Sequence, residues 1–326
     1  MKKSKHRKIL VTGGMGFIGS NFIRYLLTAY PTVRIVNLDK LTYAATRKTL
    51  REVENNPRYC LVRGDICDAA TVGAAMQGCG TVVNFAAESH VDRSIVSAHA
   101  FIKTNIDGVR VLMDSARRQG VTRFLHISTD EVYGSRPKGS FRETDPLEPN
   151  SPYAASKAAA DLLVRSYVVT YGLPALITRS SNNFGPYQFP EKVIPLFITN
   201  ILEGKPVPLY GDGRNIRDWL FVEDNCRAID LVLQKGVCGE IYNIGAGNEL
   251  MNIDLTRRIL ALLGKDQSWI TPVADRLGHD RRYSIATAKI RSLGFRPRRD
   301  FARALAYTIA WYRDNRSWWK PLKKRS

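Results

Sequence analysis

Thr129-Asp130-Glu131 is followed by Tyr153 and Lys157 in the segment YAASK. A tyrosine and a lysine four residues apart on a helix lie on one face and can act on one substrate. A phenol has an ordinary pKa of about 10, too high for a good base at neutral pH, and a nearby ammonium is a physical reason for it to fall. Two adjacent carboxylates add an acid and a base that simple alcohol oxidation does not need. The set therefore suits hydride chemistry coupled to an elimination. Helix capping alone also places acids after a strand, so the pair takes its meaning from Thr129, Tyr153 and Lys157.

The surrounding chain must hold these groups against a hydride carrier. Ile9, Leu10 and Val11 form a short apolar run suited to a buried parallel strand. The run enters GGMGFIGS, where Gly13, Gly16 and Gly19 permit a tight turn, close approach to a pyrophosphate and close helix–strand packing. The helix that starts there offers free N–H groups to phosphates. A second strand, VRIVNLD, ends in Asp39, twenty residues beyond Gly19. An acid at that point accepts from a ribose 2′-hydroxyl and repels a 2′-phosphate, which favours NAD over NADP. Lys40, beside it, works against that selectivity.

Strand ends repeat through the first half. YCLVRGDICD puts Asp65 and Ile66 after a strand, where Asp65 is either a loop or helix cap or a contact to adenine. TVVNFAAESHVDRS brings Ala86 and Ala87 to another strand end, small enough to let backbone approach a nicotinamide. RFLHISTDEVYG carries Ser128, Thr129, Asp130 and Glu131 to the carboxyl edge, where open α/β sheets gather ligands. This alternation predicts an α/β fold: a Rossmann-like doubly wound parallel sheet with a smaller C-terminal substrate-binding domain. Residues 8–180 are expected to be mainly the NAD-binding part. Residues 181–315 are expected to be mainly the sugar-nucleotide region, with some chain returning to the large domain. Residues 1–7 and 316–326 read as basic, solvated tails.

The ordered blocks VTGGMGFIGSNF, LDKLTYA, RGDICD, NFAAESHVDRSI, STDEVYG, SPYAASKA, RSSNNFGPYQFPEKVIP, GDGRNIRDWLFVEDNCRAI and YNIGAGNE span about residues 8–315. In these blocks the chain resembles the extended short-chain dehydrogenase/reductase family, and within it the sugar-nucleotide 4,6-dehydratases that act on dTDP-glucose. The resemblance implies bound NAD, a dTDP-glucose substrate and a dTDP-4-keto-6-deoxyglucose product. It implies that Tyr153 takes the C4 hydroxyl proton, that Lys157 lowers the tyrosine pKa and binds the nicotinamide ribose, and that Thr129 holds the C4 oxygen. Hydride passes from C4 to NAD, Glu131 removes the C5 proton, Asp130 in its protonated form helps the C6 hydroxyl leave, and hydride returns to C6.

On the same footing, Phe17, Ile18, Lys40 and Thr42 join Gly13, Gly16, Gly19, Asp39, Asp65, Ile66, Ala86, Ala87, Tyr153 and Lys157 around the cofactor. Ser89 and His90, with Glu88, fall beside cofactor and sugar. Asn183, Glu191, Lys192 and Val193 fall near the sugar nucleotide, and Asn182 is a routine turn residue. Arg217 suits a diphosphate through paired, charge-assisted hydrogen bonds. Asp218 orients its loop or pairs with an arginine. Asn252, Arg276, His279 and Tyr283 fit a late nucleotide-side loop, where solvent-exposed arginines are the ordinary alternative. Helices around 100–119 and 153–170 resemble the four-helix interface of a homodimer.

Lys and Arg number 49 against 30 Asp and Glu, a formal charge of +19. That excess suits steering of an anionic sugar nucleotide. Nonspecific nucleic-acid binding is the rival, but no zinc-finger spacing or RNA-binding aromatic pair supports a specific nucleic-acid role. The five histidines are scattered without metal-ligand spacing. Cysteines at 60, 67, 79, 226 and 238 form no CxxC pair and argue against a disulfide framework, so a cytoplasmic setting is expected. No apolar run approaches membrane-spanning length, and no membrane insertion is expected. A UDP-glucose 4,6-dehydratase or a 4-epimerase stays open, because the base pocket is not legible in sequence. A noncatalytic NAD-bound RNA or scaffold protein is the reading from a different class.

Overall fold

The computed structural model describes residues 8–324. Seven parallel strands build the large sheet: β1 (Lys8–Thr12), β2 (Arg34–Asp39), β3 (Tyr59–Arg63), β4 (Thr81–Asn84), β5 (Arg123–Thr129), β6 (Ala175–Ser180) and, after three intervening strands, β10 (Ile241–Ile244). The intervening strands are β7 (Asn182–Phe184), β8 (Val207–Tyr210) and β9 (Ile216–Phe221). Two more follow, β11 (Glu249–Met251) and β12 (Ile270–Val273).

The large sheet runs β10-β6-β5-β4-β1-β2-β3. Ile9, Leu10 and Val11 are fully buried because helices cover both faces. On one face lie the helices Phe17–Ala29 and Val222–Lys235, joined to Ile9, Val11 and Ile35 in one core. On the other lie the helices Ala69–Met76, Gly108–Arg118 and Pro152–Tyr171, packed with Leu10, Val82 and Phe124. Strand order reverses between β1 and β4, and the crevice outside the carboxyl ends of such strands is where these sheets bind ligands.

After β6 the chain leaves this sheet and builds two small ones, β11-β9-β7 and β12-β8. β10 returns to pair with β6, Ile241 opposite Ile177. A third core, with Phe184, Phe197, Trp219, Leu255, Phe301 and Tyr312, fills this second region.

The C-terminal segment corrects the expectation of a solvated tail over 316–326. Arg316–Lys323 is a helix, and Trp318, Trp319 and Leu322 are buried in the third core. Trp319 Nε1 donates to the Tyr312 carbonyl (2.7 Å), and Trp318 Nε1 to Thr49 Oγ1 (3.2 Å). The positions 318, 319 and 322 share one helical face, while Lys320 and Lys324 lie on the exposed side. Residues 1–7, the other basic segment, lie outside the described residues.

Candidate active site

The glycine turn follows from close packing. Gly13 has φ +68°, and a Cβ there would lie 2.6 Å from the Ala86 backbone nitrogen; at Gly19 it would lie 2.5 Å from the Gly13 carbonyl oxygen. Only glycine allows that backbone shape and that approach. Asp39 ties the end of β2 to this turn: Oδ2 accepts from Met15 N and Oδ1 from Leu41 N, both at 2.8 Å. Burial still pushes its carboxyl upward, and each oxygen keeps a lone pair for a ribose hydroxyl. Lys40 Nζ stands 2.8 Å from Asp65 Oδ2, so the cation beside Asp39 is already paired. Asp65 Oδ1 also accepts from Cys67 N (3.0 Å), so it caps its loop as well as facing the cleft.

One cleft runs over these strand ends. Gly13, Gly16, Phe17, Ile18, Gly19, Asp39, Lys40, Thr42, Asp65, Ile66, Ala86, Ala87, Tyr153 and Lys157 all line it, together with Glu88, Ser89, Glu191 and Lys192. A dinucleotide fits this donor set: a glycine cradle that a side chain would fill, free helix N–H groups at Phe17–Ala29 and a ribose acceptor.

Thr129 caps the short turn Asp130–Tyr133, its Oγ1 accepting from Glu131 N (3.3 Å). The capping role thus falls to the threonine, whose hydroxyl also donates to Asp130 Oδ1 (3.3 Å). Asp130 is 3 % exposed, and its Oδ2 has no hydrogen-bond partner. Burial and then the charge of Glu131 push its pKa well above the ordinary carboxyl value. Glu131 is partly exposed; burial raises it too, but Arg276, Lys192 and Arg217 oppose that rise. Two neighbouring carboxyls in unlike surroundings are the arrangement that yields one acid and one base.

Tyr153 and Lys157 share the inner face of the Pro152–Tyr171 helix, which starts with Ser151 as cap and Pro152 in its first turn. Burial and the Glu131 carboxylate push the Tyr153 phenol well above its ordinary value, with Thr129 pulling the other way. This departs from the expectation that Lys157 lowers the phenol. Lys157 Nζ instead donates to the Ile127 carbonyl (2.7 Å) and stands 3.3 Å from His126 Nε2. Burial lowers Lys157 to about 8, and Asp161 works against that fall.

The later residues divide. Tyr283 OH lies 3.5 Å from Glu131 Oε2 and donates to Asp280 Oδ2 (2.7 Å), which sets it beside Glu131. Arg217 stacks on the Tyr283 ring at 4.0 Å, but its guanidinium also donates to the carbonyls of Asp280 (2.9 Å) and Ile216 (2.8 Å). Arg276 pairs weakly with Asp92 (3.8 Å) and keeps a buried, unpartnered Nε. Lys192 Nζ donates to the Ser89 carbonyl (2.7 Å). Glu191 lies 3.5 Å from both His90 and Arg93.

His90 is held neutral, near 4, chiefly by burial, and its Nδ1 caps the Val91–Val96 helix. His279 pairs with Asp275 (2.6 Å). Asn183 Nδ2 donates to the Ser181 carbonyl (2.9 Å) and leaves its Oδ1 unpartnered, as is Asn182 Oδ1. Val193 and Asn252 open the helices Val193–Leu202 and Asn252–Leu262 and, like Thr129, Asp130 and Glu131, stand outside the lining of the cofactor cleft. Asp218 accepts from Ala246 N (2.9 Å) and Asn248 N (2.6 Å), which makes it the anchor of its neighbouring loop.

Two groups escaped the sequence reading, Asn105 and the His126–Asp161 pair, while Asp280 entered it only as a member of the late loop. Asn105 sits in a π turn, Lys103–Asp107, and clamps Glu88 by both backbone groups (2.9 and 3.0 Å) while donating to Ser156 Oγ (2.8 Å). Asp280 gathers Asn150, Tyr283 and Arg217. His126 and Asp161 lie behind Lys157; the spacing 153, 157, 161 on one helix face was the available signal.

Fold and cleft together define a dinucleotide-dependent enzyme with two adjacent carboxyls beside the cofactor cleft. The chain belongs to the GDP-mannose 4,6 dehydratase family, whose family model matches residues 10–308. It is 55% identical over 323 residues to a dTDP-glucose 4,6-dehydratase of Streptomyces antibioticus, covering 97% of this chain and 96% of that one. Among solved structures it is similar to DesIV, a dTDP-glucose 4,6-dehydratase of Streptomyces venezuelae crystallised with NAD, at TM-score 0.95 and 55% identity over 97% of this chain and 99% of that one. A dTDP-glucose 4,6-dehydratase of Bacillus anthracis in complex with NAD gives TM-score 0.91 and 45% identity, over 97% and 99%.

Proposed function

We propose that this chain converts dTDP-glucose into dTDP-4-keto-6-deoxyglucose, with NAD held in the cleft. The observation that carries this reading is the pair Asp130–Glu131 beside Tyr153, two acids whose surroundings differ. Gly13, Gly16, Gly19 and Asp39 would hold the dinucleotide, with Tyr153 and Lys157 on its nicotinamide side. When bound, it supplies a hydride acceptor for C4 and a donor for C6.

The residues supply the rest. Tyr153 receives the C4 hydroxyl proton as the phenolate, a form that the positive charge of a bound nicotinamide would favour against burial and the Glu131 carboxylate, while Thr129 holds the same oxygen. The C4 ketone acidifies the C5 proton, which Glu131 removes. Asp130, whose pKa burial and Glu131 raise, gives a proton to the departing C6 hydroxyl, and C5 regains a proton when hydride returns to C6. Lys192, Arg217 and Arg276 stabilise the Glu131 carboxylate and offer positive charge to a diphosphate. A 4-epimerase has no use for the acid–base pair, which favours dehydration.

The same reading takes the protein as a homodimer. Ile102 (52 %), Leu162 (58 %) and Val169 (70 %) are exposed on the neighbouring helices His99–Ile102 and Pro152–Tyr171, which suits a helical interface. It places the protein in the cytoplasm, supported by five free cysteines. Among the described residues no helix is long and apolar enough to cross a membrane.

Product NMR after incubation with dTDP-glucose and, separately, UDP-glucose tests the reading. A 4-keto-6-deoxy product from the thymidine substrate alone supports it whole. Product from both removes the narrow base assignment. An epimer that retains the C6 hydroxyl overturns the dehydration.

A further inference from the structure

Behind Tyr153 and Lys157, away from the cleft, lies a chain of buried polar side chains. Thr12 Oγ1 donates to Asn84 Oδ1 (2.6 Å), and the Asn84 amide lies 3.2 Å from His126 Nδ1. His126 Nε2 stands 3.3 Å from Lys157 Nζ and 3.7 Å from Asp161 Oδ1. Asp161 Oδ2 accepts from Arg179 Nε (2.8 Å), and the Arg179 guanidinium lies 4.6 Å from the Tyr133 ring. Asn84, His126, Lys157, Asp161 and Arg179 are each at most 4 % exposed. Charges buried this deeply are costly and are expected to be paired.

The chain is not symmetric in its pairing. Arg179 satisfies one Asp161 oxygen. The other has no hydrogen-bond partner and lies 3.7 Å from His126 Nε2. Asp161 is also one helical turn beyond Lys157, as Lys157 is one turn beyond Tyr153, so the three share a face. His126 fills the wedge between ammonium and carboxylate. It is uncharged there, since burial, Lys157 and Arg179 all oppose its protonation.

We propose that Asp161 and His126 are positioning residues for the Tyr153–Lys157 pair. The carboxylate supplies the counter-charge that keeps Lys157 an ammonium inside the protein, and the neutral imidazole sets where that ammonium stands. The inference rests on the assignment of Tyr153 and Lys157 to the first oxidation. The charged and titratable groups around this pair are Asp161 on the same helix, His126 from β5, Arg179 from β6, and Asp130 and Glu131 from the turn facing Tyr153. Asp161 raises Lys157, and burial lowers it to about 8. Loss of the carboxylate therefore lowers it further, and the ammonium is lost at a lower pH.

The test compares wild type, Lys157→Met, Asp161→Asn/Arg179→Gln and His126→Gln as full-length proteins. The double variant removes the carboxylate without stranding a buried arginine. Its alkaline limb in the kcat profile should move to lower pH by about one unit, lowering kcat about tenfold on that limb with KM unchanged. His126→Gln should lower kcat at unchanged KM and leave the thermal midpoint close to wild type. A double variant that keeps the wild-type pH profile overturns the proposal, whatever its stability. If instead kcat and KM of His126→Gln are wild-type, the positioning role of the imidazole is overturned. Wild-type turnover by Lys157→Met would overturn the underlying assignment of the Tyr–Lys pair.

Discussion

Glu131→Gln should separate oxidation from elimination. The amide keeps the shape of the side chain and can still meet the Tyr283 hydroxyl, which lies 3.5 Å from Oε2. It loses the proton-accepting charge that Arg276, Lys192 and Arg217 hold in place against burial. A positioned base contributes about 10²–10⁴-fold, or about 2.7–5.4 kcal/mol of barrier at about 1.36 kcal/mol per decade. Tyr283 and Asp130, on either side of Glu131, are each 3 % exposed, so little solvent stands there to replace it. A loss of about 10³-fold or more in dehydration is therefore expected. Product NMR measures the dehydration, and deuterium incorporation at C5 from heavy water measures proton removal directly. C4 oxidation, read from the absorbance of reduced cofactor, should largely persist, as should the thermal midpoint. A dehydration loss of less than about tenfold, or an equal loss in C4 oxidation, would refute the base assignment.

Asp130→Asn should cut dehydration yet raise the thermal midpoint at pH 7. The folded pKa of Asp130 is raised, chiefly by burial, so its contribution to stability is fully present below its unfolded pKa and is lost as pH rises through the folded one. The gain from the amide should accordingly shrink as pH falls toward about 4; a pH-independent shift would count against the cause given. Gly13→Ala forces an alanine to φ +68° and a Cβ to 2.6 Å from the Ala86 nitrogen. Backbone strain of about 1–2 kcal/mol and overpacking of about 1–3 kcal/mol should lower the urea midpoint and abolish NAD binding in a direct titration. Trp319→Ala removes a fully buried indole and should cost about 3–5 kcal/mol in urea unfolding. A solvated tail would show no change.

The cofactor end was legible because its signals are local. An apolar triplet, three glycines and an acid twenty residues on require no knowledge of distant partners. Tyr153 and Lys157 were legible through helical spacing, and Thr129-Asp130-Glu131 through their position at a strand end. The sequence could place both acids at the sheet edge but not tell which would be driven further up. That depends on burial and on Arg276 and Lys192, which come from distant segments and hold Glu131 down.

The C-terminal helix shows the opposite case. Its basic residues dominate composition, while Trp318, Trp319 and Leu322 matter only because Tyr312 and Thr49 meet them in space. Lys40 likewise read as a threat to NAD selectivity until folding set it 2.8 Å from Asp65. The sequence by itself determined the strands, the glycine cradle and the reactive side chains, since these follow from backbone conformation and short-range spacing. Tertiary structure alone decided which charges are paired, which carboxyl is pushed further up and what stands behind Lys157, because electrostatic energy depends on burial and distance between residues far apart in the chain.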